Sequence, residues 1–308
     1  MKIAIVGPGA LGCAYAARLA AAGHAVTLLA RRADQSEKIN AEGIVLTSPS
    51  GAERAQPTAT TDPAALAAVD FVIVLVKAYD TDSAARQLAA TTQSTPILTL
   101  QSGLGNVETL ASICGKDRIL AGVSYLGGRR TSDNEVTIGG NLRTVVGEVT
   151  GSETPRLRAI TEALRAGRFE AEMAPNIHEA VWNKLLVICA QNAIGALTGL
   201  TFGEMLQSAS CQKIIAGVLA ELDSVARSLS ISLPSDPVRK VLDNWRTLPE
   251  HRPSMWQDLQ AGRKTEVDAM NGAVAELGRQ HQLATPWNQL ITLLIHMIEE
   301  GRHINRPA

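Results

Sequence analysis

Aromatic residues are scarce in this chain. Four Trp, three Tyr and three Phe make up 3% of 308 positions, so any core must be assembled from the aliphatic residues that bring the hydrophobic share to 45%. Cysteine is sparse too: Cys13, Cys114, Cys189 and Cys211 are scattered and form no C-x-x-C pair. That excludes a disulfide framework and a thiolate metal site, and leaves reduced, cytoplasmic thiols as the expectation. Neither sign of charge dominates, with 29 basic against 30 acidic residues, which argues against a nucleic-acid partner. Long apolar runs are missing as well. Only four apolar residues separate Met1-Lys2 from Gly7-Pro8-Gly9, too few for a secretory signal, and Ile291–Ile298 is interrupted by Thr292 and His296. The expectation is a soluble protein with no membrane partner, free of repeats and low-complexity segments.

What is present divides the chain in two. The length suits two domains at roughly 100–200 residues each. In the first part strand and helix signals alternate: Lys2–Val6 strand, Ala10–Ala22 helix, Ala25–Leu29 strand, Phe71–Val76 strand, Asp80–Ala90 helix, Pro96–Leu100 strand, Gly105–Cys114 helix. The unbroken Phe-Val-Ile-Val-Leu-Val run reads as a parallel strand covered on both faces. Such alternation predicts a doubly wound parallel sheet. Ile119–Val149 predicts short antiparallel strands around Gly127-Gly128 and Gly139-Gly140, followed by a helix near Glu153–Arg165 and a strand near Phe169–Glu172. Beyond Pro175 the spacing is helical throughout: His178–Leu197, Ser208–Leu229, Pro237–Arg246, Ser254–Leu277 and Trp287–Glu300, with Pro234, Pro237, Pro249 and Pro253 in the loops. The fold class is therefore α/β: a Rossmann-type sheet domain over residues 1–174, then an all-α domain over 175–308.

Gly7-Pro8-Gly9-Ala10-Leu11-Gly12 matches G-x-G-x-x-G, and it follows a strand and opens a helix, the context that gives the pattern meaning. Gly7 permits a tight turn, Gly9 lets backbone approach a diphosphate, and Gly12 allows close helix–strand packing, with the diphosphate at the helix N-terminus. At the end of the second strand an NAD site usually carries an acid for the ribose 2′-hydroxyl, whereas arginine accommodates a 2′-phosphate. Here Arg31 and Arg32 stand, with Asp34 near enough to compete for them. This favours NADP(H), Arg31 being the better placed; two solvated arginines at a helix start are the plainer alternative. Two further loops at strand ends, around Lys77 and around Gln101-Ser102-Gly103, should face the cofactor.

In the helical part, Lys184 sits in an apolar helix, and positions 184, 188 and 192 share one face through i, i+4 spacing. Taken alone, that pattern fits a functional lysine and one snorkelling to solvent equally well. Glu266 by itself reads as a solvated helix residue and Ser254 as a helix N-cap.

Taken together, the glycine fingerprint, Arg31, Val76-Lys77-Ala78, Gly103-x-Gly105 and the helical second half resemble the ketopantoate reductase (2-dehydropantoate 2-reductase) family over essentially the whole length. The most specific strings are Val181-Trp182-Asn183-Lys184-Leu185, Asn192, Ser254-Met255-Trp256-Gln257-Asp258-Leu259 and Lys264-Thr265-Glu266-Val267-Asp268. The resemblance implies that Lys184 is the catalytic acid that protonates the keto oxygen as hydride arrives at carbon. It implies that Glu266 pairs with it and orients ligands, and that Asn192 and Ser254 bind substrate. Cofactor contacts fall to Gly7, Pro8, Gly9, Ala10, Leu11, Gly12, Arg31, Lys77, Gln101 and Glu266, substrate contact also to Ser102, and no metal is required. The chain departs from the family where Ser102 replaces the asparagine of Gln-Asn-Gly and where Ile188 stands at a usual asparagine. The implied activity is NADPH-dependent reduction of ketopantoate to pantoate, toward pantothenate and coenzyme A. A reductase of a more apolar 2-keto acid is the alternative, and a non-catalytic NADPH-binding regulator a third. Substrate is expected between the two halves, with domain closure over it, and a homodimer through the helical half is compatible with the sequence.

Overall fold

A computed structural model describes residues 1–304. The chain separates into two compact units, one formed by Met1–Gln101 with Gly105–Ala180, the other by Ser102–Leu104 with Val181 onward.

The first unit holds ten strands in one sheet: β1 (Lys2–Val6), β2 (Ala25–Leu29), β3 (Ile44–Ser48), β4 (Gly51–Ala55), β5 (Thr58–Thr60), β6 (Phe71–Val74), β7 (Ile97–Thr99), β8 (Ile119–Arg130), β9 (Glu135–Glu148) and β10 (Glu170–Met173). The order β5-β2-β1-β6-β7-β8 is parallel throughout and doubly wound, with the reversal of winding between β1 and β6. Helices α1 (Ala10–Ala21), α2 (Ala33–Glu42), α3 (Thr81–Thr91), α4 (Asn106–Cys114) and α5 (Pro155–Ala166) make the crossovers. Apolar side chains cover both sheet faces: Ile3, Ile5 and Leu28 join α1 and α5 in one cluster, while Val6, Val72 and Val74 join α3 and α4 in another. This two-sided burial explains why β6 reads as an unbroken apolar run.

Two features differ from the expectation. Ile119–Val149 is not a series of short strands but one long hairpin, β8 against β9, with a register shift between Ser124 and Leu126. Such an irregularity bends a hairpin. The β3–β4 hairpin, which the sequence reading passes over, pairs with the far end of β9. Together they lay a second layer over α1. Tyr15 of α1 stacks on Phe169 with ring centroids 4.1 Å apart, and its hydroxyl lies 2.9 Å from Ser124 Oγ on β8 and 2.7 Å from Thr144 Oγ1 on β9. A chain with so few aromatics spends two of them, Tyr15 and Phe169, on this junction.

The second unit is built on α6 (Ile177–Thr198), with α7 (Phe202–Gln207), α8 (Ala209–Ser228), α9 (Pro237–Thr247), α10 (Ser254–Gln260), α11 (Asn271–Gln280) and α12 (Pro286–Ile304). By length and composition α6 is apolar enough to cross a membrane, which corrects the expectation that no stretch comes near a span. Its apolar residues instead fill a protein core: Leu185, Leu186, Cys189 and Ala193 pack with Trp245, Val218 and Ile295. The helix expected over Ser254–Leu277 is broken. Gly262, at φ +66°, stops α10 in a Schellman arrangement, with Arg263 N donating to Asp258 O at 2.9 Å and Gly262 N to Leu259 O at 3.0 Å. The residues up to Met270 form a loop and a short 3₁₀ turn, Val267–Ala269.

Glu221 of α8 ties the last helix to this core. Its carboxylate accepts hydrogen bonds from the backbone N–H groups of Trp287 (2.8 Å) and Asn288 (3.0 Å) and from Asn288 Nδ2 (2.8 Å), so it caps α12 from a neighbouring element. Glu221→Ala strands these buried donors and should cost about 2–4 kcal/mol of stability, read as a lowered urea midpoint. A midpoint equal to the parent's would remove this cap from the account of the helical unit.

Candidate active site

The nucleotide loop follows directly from the β1–α1 junction. A Cβ on Gly12 would stand 1.9 Å from the Gly7 carbonyl oxygen, and Gly7 itself lies at φ +109° with its Cα against the backbone of Leu75 and Val76. Both glycines are demanded by the protein's own packing. Gly9 is different: a Cβ there would meet no protein atom within 4 Å. Its N–H bonds to nothing among the described residues, and the first-turn N–H groups of α1 have no helical acceptor. A glycine required by nothing inside the chain, beside unspent donors, fits close approach of a dinucleotide diphosphate.

The two arginines after β2 are unequal. Arg32 donates from Nε and Nη2 to the Asp34 carboxylate at 2.9 and 3.0 Å, and from Nη2 to Asp133, so two acids hold it. Arg31 gives Nη1 to Asp80 at 3.0 Å and is otherwise open, its side chain 80% exposed. The competition anticipated from Asp34 therefore falls on Arg32. Lys77 precedes a 3₁₀ turn, Ala78–Asp80, at the C-terminal end of β6, and is half-buried. Gln101 follows β7, but its amide is committed: Nε2 donates to Val76 O (3.0 Å) and Thr81 Oγ1 (2.8 Å), while Oε1 accepts from Thr99 Oγ1 (3.0 Å). It ties two loops of the sheet's C-terminal edge together, a task its position in the sequence did not suggest.

In the second unit, Lys184, Ile188 and Asn192 follow one another along α6 at four-residue intervals. Ile188 and Asn192 are buried, Lys184 half-buried. Burial pulls the Lys184 ammonium down to about 8, and the negative charge of Glu266 partly offsets the fall. Asn192 donates from Nδ2 to the thioether of Met270 at 3.4 Å. The segment Ser102–Leu104 belongs to this unit too. Gly103, at φ +89°, lies flat on Ala269, where a Cβ would come within 2.4 Å of the Ala269 carbonyl oxygen, and Leu104 N donates to that oxygen at 2.8 Å. The 3₁₀ turn after Glu266 thus meets Gly103 and Leu104, and Met270 behind it meets Asn192 on the Lys184 face. Ser254 is exposed at the first position of α10, which is capped by Pro253 rather than by the serine. Gly195 gives Pro253 room beside α6, for a Cβ there would meet the Pro253 ring at 2.7 Å. That sets Ser254 near the turn of α6 that follows Asn192.

Comparison with known proteins places this arrangement. Residues 3–151 match the family described as ketopantoate reductase PanE/ApbA, and residues 176–299 match its C-terminal domain. The chain belongs to the ketopantoate reductase family. It is 31% identical to the 2-dehydropantoate 2-reductase of Halobacterium salinarum, across 97% of this chain and 99% of that protein. Among solved structures it is similar to a PanE/ApbA family ketopantoate reductase from Ralstonia eutropha, with TM-score 0.92, 31% identity, and 98% and 100% of the two chains covered. The ternary structure of D-mandelate dehydrogenase with NADH and anilino(oxo)acetate has TM-score 0.90 at 22% identity, covering 98% and 99%, and shares the fold. The chain is therefore an oxidoreductase on an NAD(P)-binding Rossmann fold with a helical C-terminal domain.

The electrostatics of Lys184 can be tested directly. Its amine should titrate near 8 by NMR of the reductively methylated protein, far below an ordinary lysine. Glu266→Gln removes the charge that holds the value up, so the amine should titrate lower still. A rise, or no change, would mean that Glu266 does not act on Lys184.

Proposed function

We propose that this reductase converts 2-dehydropantoate to pantoate with NADPH. The observation that carries this reading is Lys184: a half-buried amine brought into the neutral range beside an acid. A general acid works best when its pKa lies near the working pH. When bound, the nicotinamide cofactor supplies the hydride; the glycine loop, Arg31, Lys77 and the Gln101 backbone are the residues assigned to hold it. Lys184 then has two tasks at the keto oxygen. As a cation it stabilises the negative charge that develops there, and it gives its proton to that oxygen. The negative charge of Glu266 offsets part of the fall caused by burial and so favours the charged, proton-bearing amine. Asn192, Ser254 and Ser102 are assigned to the substrate's carboxylate and hydroxyl.

Arg31 supports NADPH over NADH. Its guanidinium spends one donor on Asp80 and keeps the rest available, whereas Arg32 is already neutralised by two carboxylates. A bidentate grip on a 2′-phosphate suits such a group.

One specific feature favours a second reading, a 2-keto acid with a more apolar tail. Ile188 occupies the middle of the Lys184 face, and the amide of Asn192 faces the Met270 sulfur rather than oxygen. A site that recognises hydroxyls needs polar partners, and these positions supply fewer of them.

Three measurements decide among these readings. In a panel of 2-keto acids compared by kcat/KM with both nicotinamides, 2-dehydropantoate with NADPH should lead; a branched aliphatic or aromatic keto acid leading by a wide margin would shift the assignment to the second reading. Lys184→Ala should lower kcat at least about 10³-fold while NADPH binding stays within a few-fold, and kcat/KM of the parent should fall as pH rises through about 8, where the acid loses its proton. Arg31→Ala should raise the KM for NADPH about tenfold or more and leave that for NADH nearly unchanged; equal effects on both cofactors would remove the 2′-phosphate role.

A further inference from the structure

Three donors converge on one carbonyl in the glycine loop. Pro8 O accepts from Gln35 Nε2 at 3.1 Å, from Arg130 Nη1 at 3.0 Å and, more weakly, from Cys13 Sγ at 3.6 Å. They come from three elements: the first turn of α2, the tip of the β8–β9 hairpin, and α1. The cluster is closed on itself. Gln35 is buried and spends its second amide hydrogen on Asp133 O at 3.0 Å, so both its hydrogens point at carbonyl oxygens. Asp133 holds Arg32 with its carboxylate and stands 3.9 Å from Arg130. A hairpin tip some 120 positions down the chain thus grips a carbonyl in the loop after the first strand.

The consequence follows from peptide geometry. The Pro8–Gly9 bond is trans, and in a trans peptide the carbonyl oxygen and the following N–H point in opposite directions. Fixing Pro8 O toward Gln35 and Arg130 therefore turns the Gly9 N–H to the other side. That N–H is a donor without a partner among the described residues, on the glycine whose Cβ position is open. Left unpinned, a peptide flanked by glycine could rotate and aim the carbonyl, not the N–H, at an incoming anion. A carbonyl dipole there would repel a diphosphate.

We propose that Arg130 and Gln35 are positioning residues for the cofactor's diphosphate: they lock the Pro8–Gly9 peptide so that the Gly9 N–H faces it. Both act through Pro8 O rather than through the ligand itself. The hairpin tip, outside the doubly wound sheet proper, thereby pre-organises the phosphate loop. This inference rests on the cofactor reading above.

The test uses the intact protein and two ligands that differ in the diphosphate. 2′-Phospho-ADP-ribose carries it; adenosine 2′-monophosphate carries only the 2′-phosphate that Arg31 would grip. Dissociation constants come from calorimetry for the first and from competition against it for the second. Arg130→Met should weaken 2′-phospho-ADP-ribose about tenfold and leave adenosine 2′-monophosphate unchanged, because one oriented N–H to a charged group is at stake. Arg130→Lys, which keeps a cationic donor, should recover most of the loss. Gln35→Met removes the second donor independently and should give the same selective weakening, provided that its thermal midpoint confirms folding. Equal weakening of both ligands would overturn the proposal and make Arg130 a contact of the 2′-phosphate. Parent-like binding of both by Arg130→Met would overturn it as well. Failure of the parent to bind either ligand would instead strike at the cofactor reading itself, and at this inference with it.

Discussion

Helix α1 can lie where it does only because residue 12 has no side chain. A methyl group there would fall 1.9 Å from the Gly7 carbonyl oxygen, a distance no packing adjustment absorbs. Once α1 is seated against β1, its N-terminus stands at the C-terminal edge of the sheet, beside the point where the winding reverses. Its remaining surface then demands cover. Tyr15 meets β8 and β9, Ala10 lies 3.5 Å from where a side chain on Gly128 would begin, and the bent hairpin closes over the helix. The glycine loop and the layer that braces it are two results of the same close approach.

A different economy governs the helical unit. An ammonium in an apolar helix is costly, and the cost appears as a lowered pKa rather than as a broken fold. Lowering it too far would leave a neutral amine, unable to donate a proton or to stabilise an alkoxide. Glu266 works against burial, and the balance leaves the amine at about 8. Shape, not only charge, keeps these groups together. Gly103 at positive φ allows its loop to lie on Ala269, three residues after Glu266, where any side chain would collide with backbone.

Much of this was legible in the sequence because its signals are local. Gly7, Gly9 and Gly12 announce their geometry through spacing read between a strand and a helix, and the Phe71–Val74 run announces a strand buried on both faces. The arginines were legible only in part: Asp34 stood near enough to be suspected, but Asp133 is 101 positions from Arg32, and no local pattern predicts that pairing. Gln101 shows the same limit, since its amide is consumed by Val76, Thr81 and Thr99 across two loops. The break in Ser254–Leu277 is a different kind of miss. Ala261-Gly262 is a readable helix stop, and apolar periodicity on either side concealed it. The β3–β4 hairpin was passed over for want of alternation: Gly51–Ala55 is mostly exposed and polar or small, with no apolar face to declare it.

The same distinction bears on substrate choice. Reduction of a keto group needs a proton donor and a place for charge, and on the proposed reading those demands fall to Lys184 and Glu266 whatever hangs from the carbon. The tail would make separate demands, on Ile188, Asn192 and Met270 in the proposed arrangement. Ile188 offers no hydrogen bond, and the Asn192 amide is directed at a sulfur, a weak acceptor that yields readily to a better one. A hydroxyl reaching Asn192 would displace that contact at little cost, whereas a hydroxyl against Ile188 would lose its water without replacement. On that reading the chemistry rests on Lys184 and the selectivity on Ile188 and Asn192, further along the same helix face. On these assignments, a substitution at Ile188 should redirect the enzyme among 2-keto acids while the proposed acid, Lys184, stays in place.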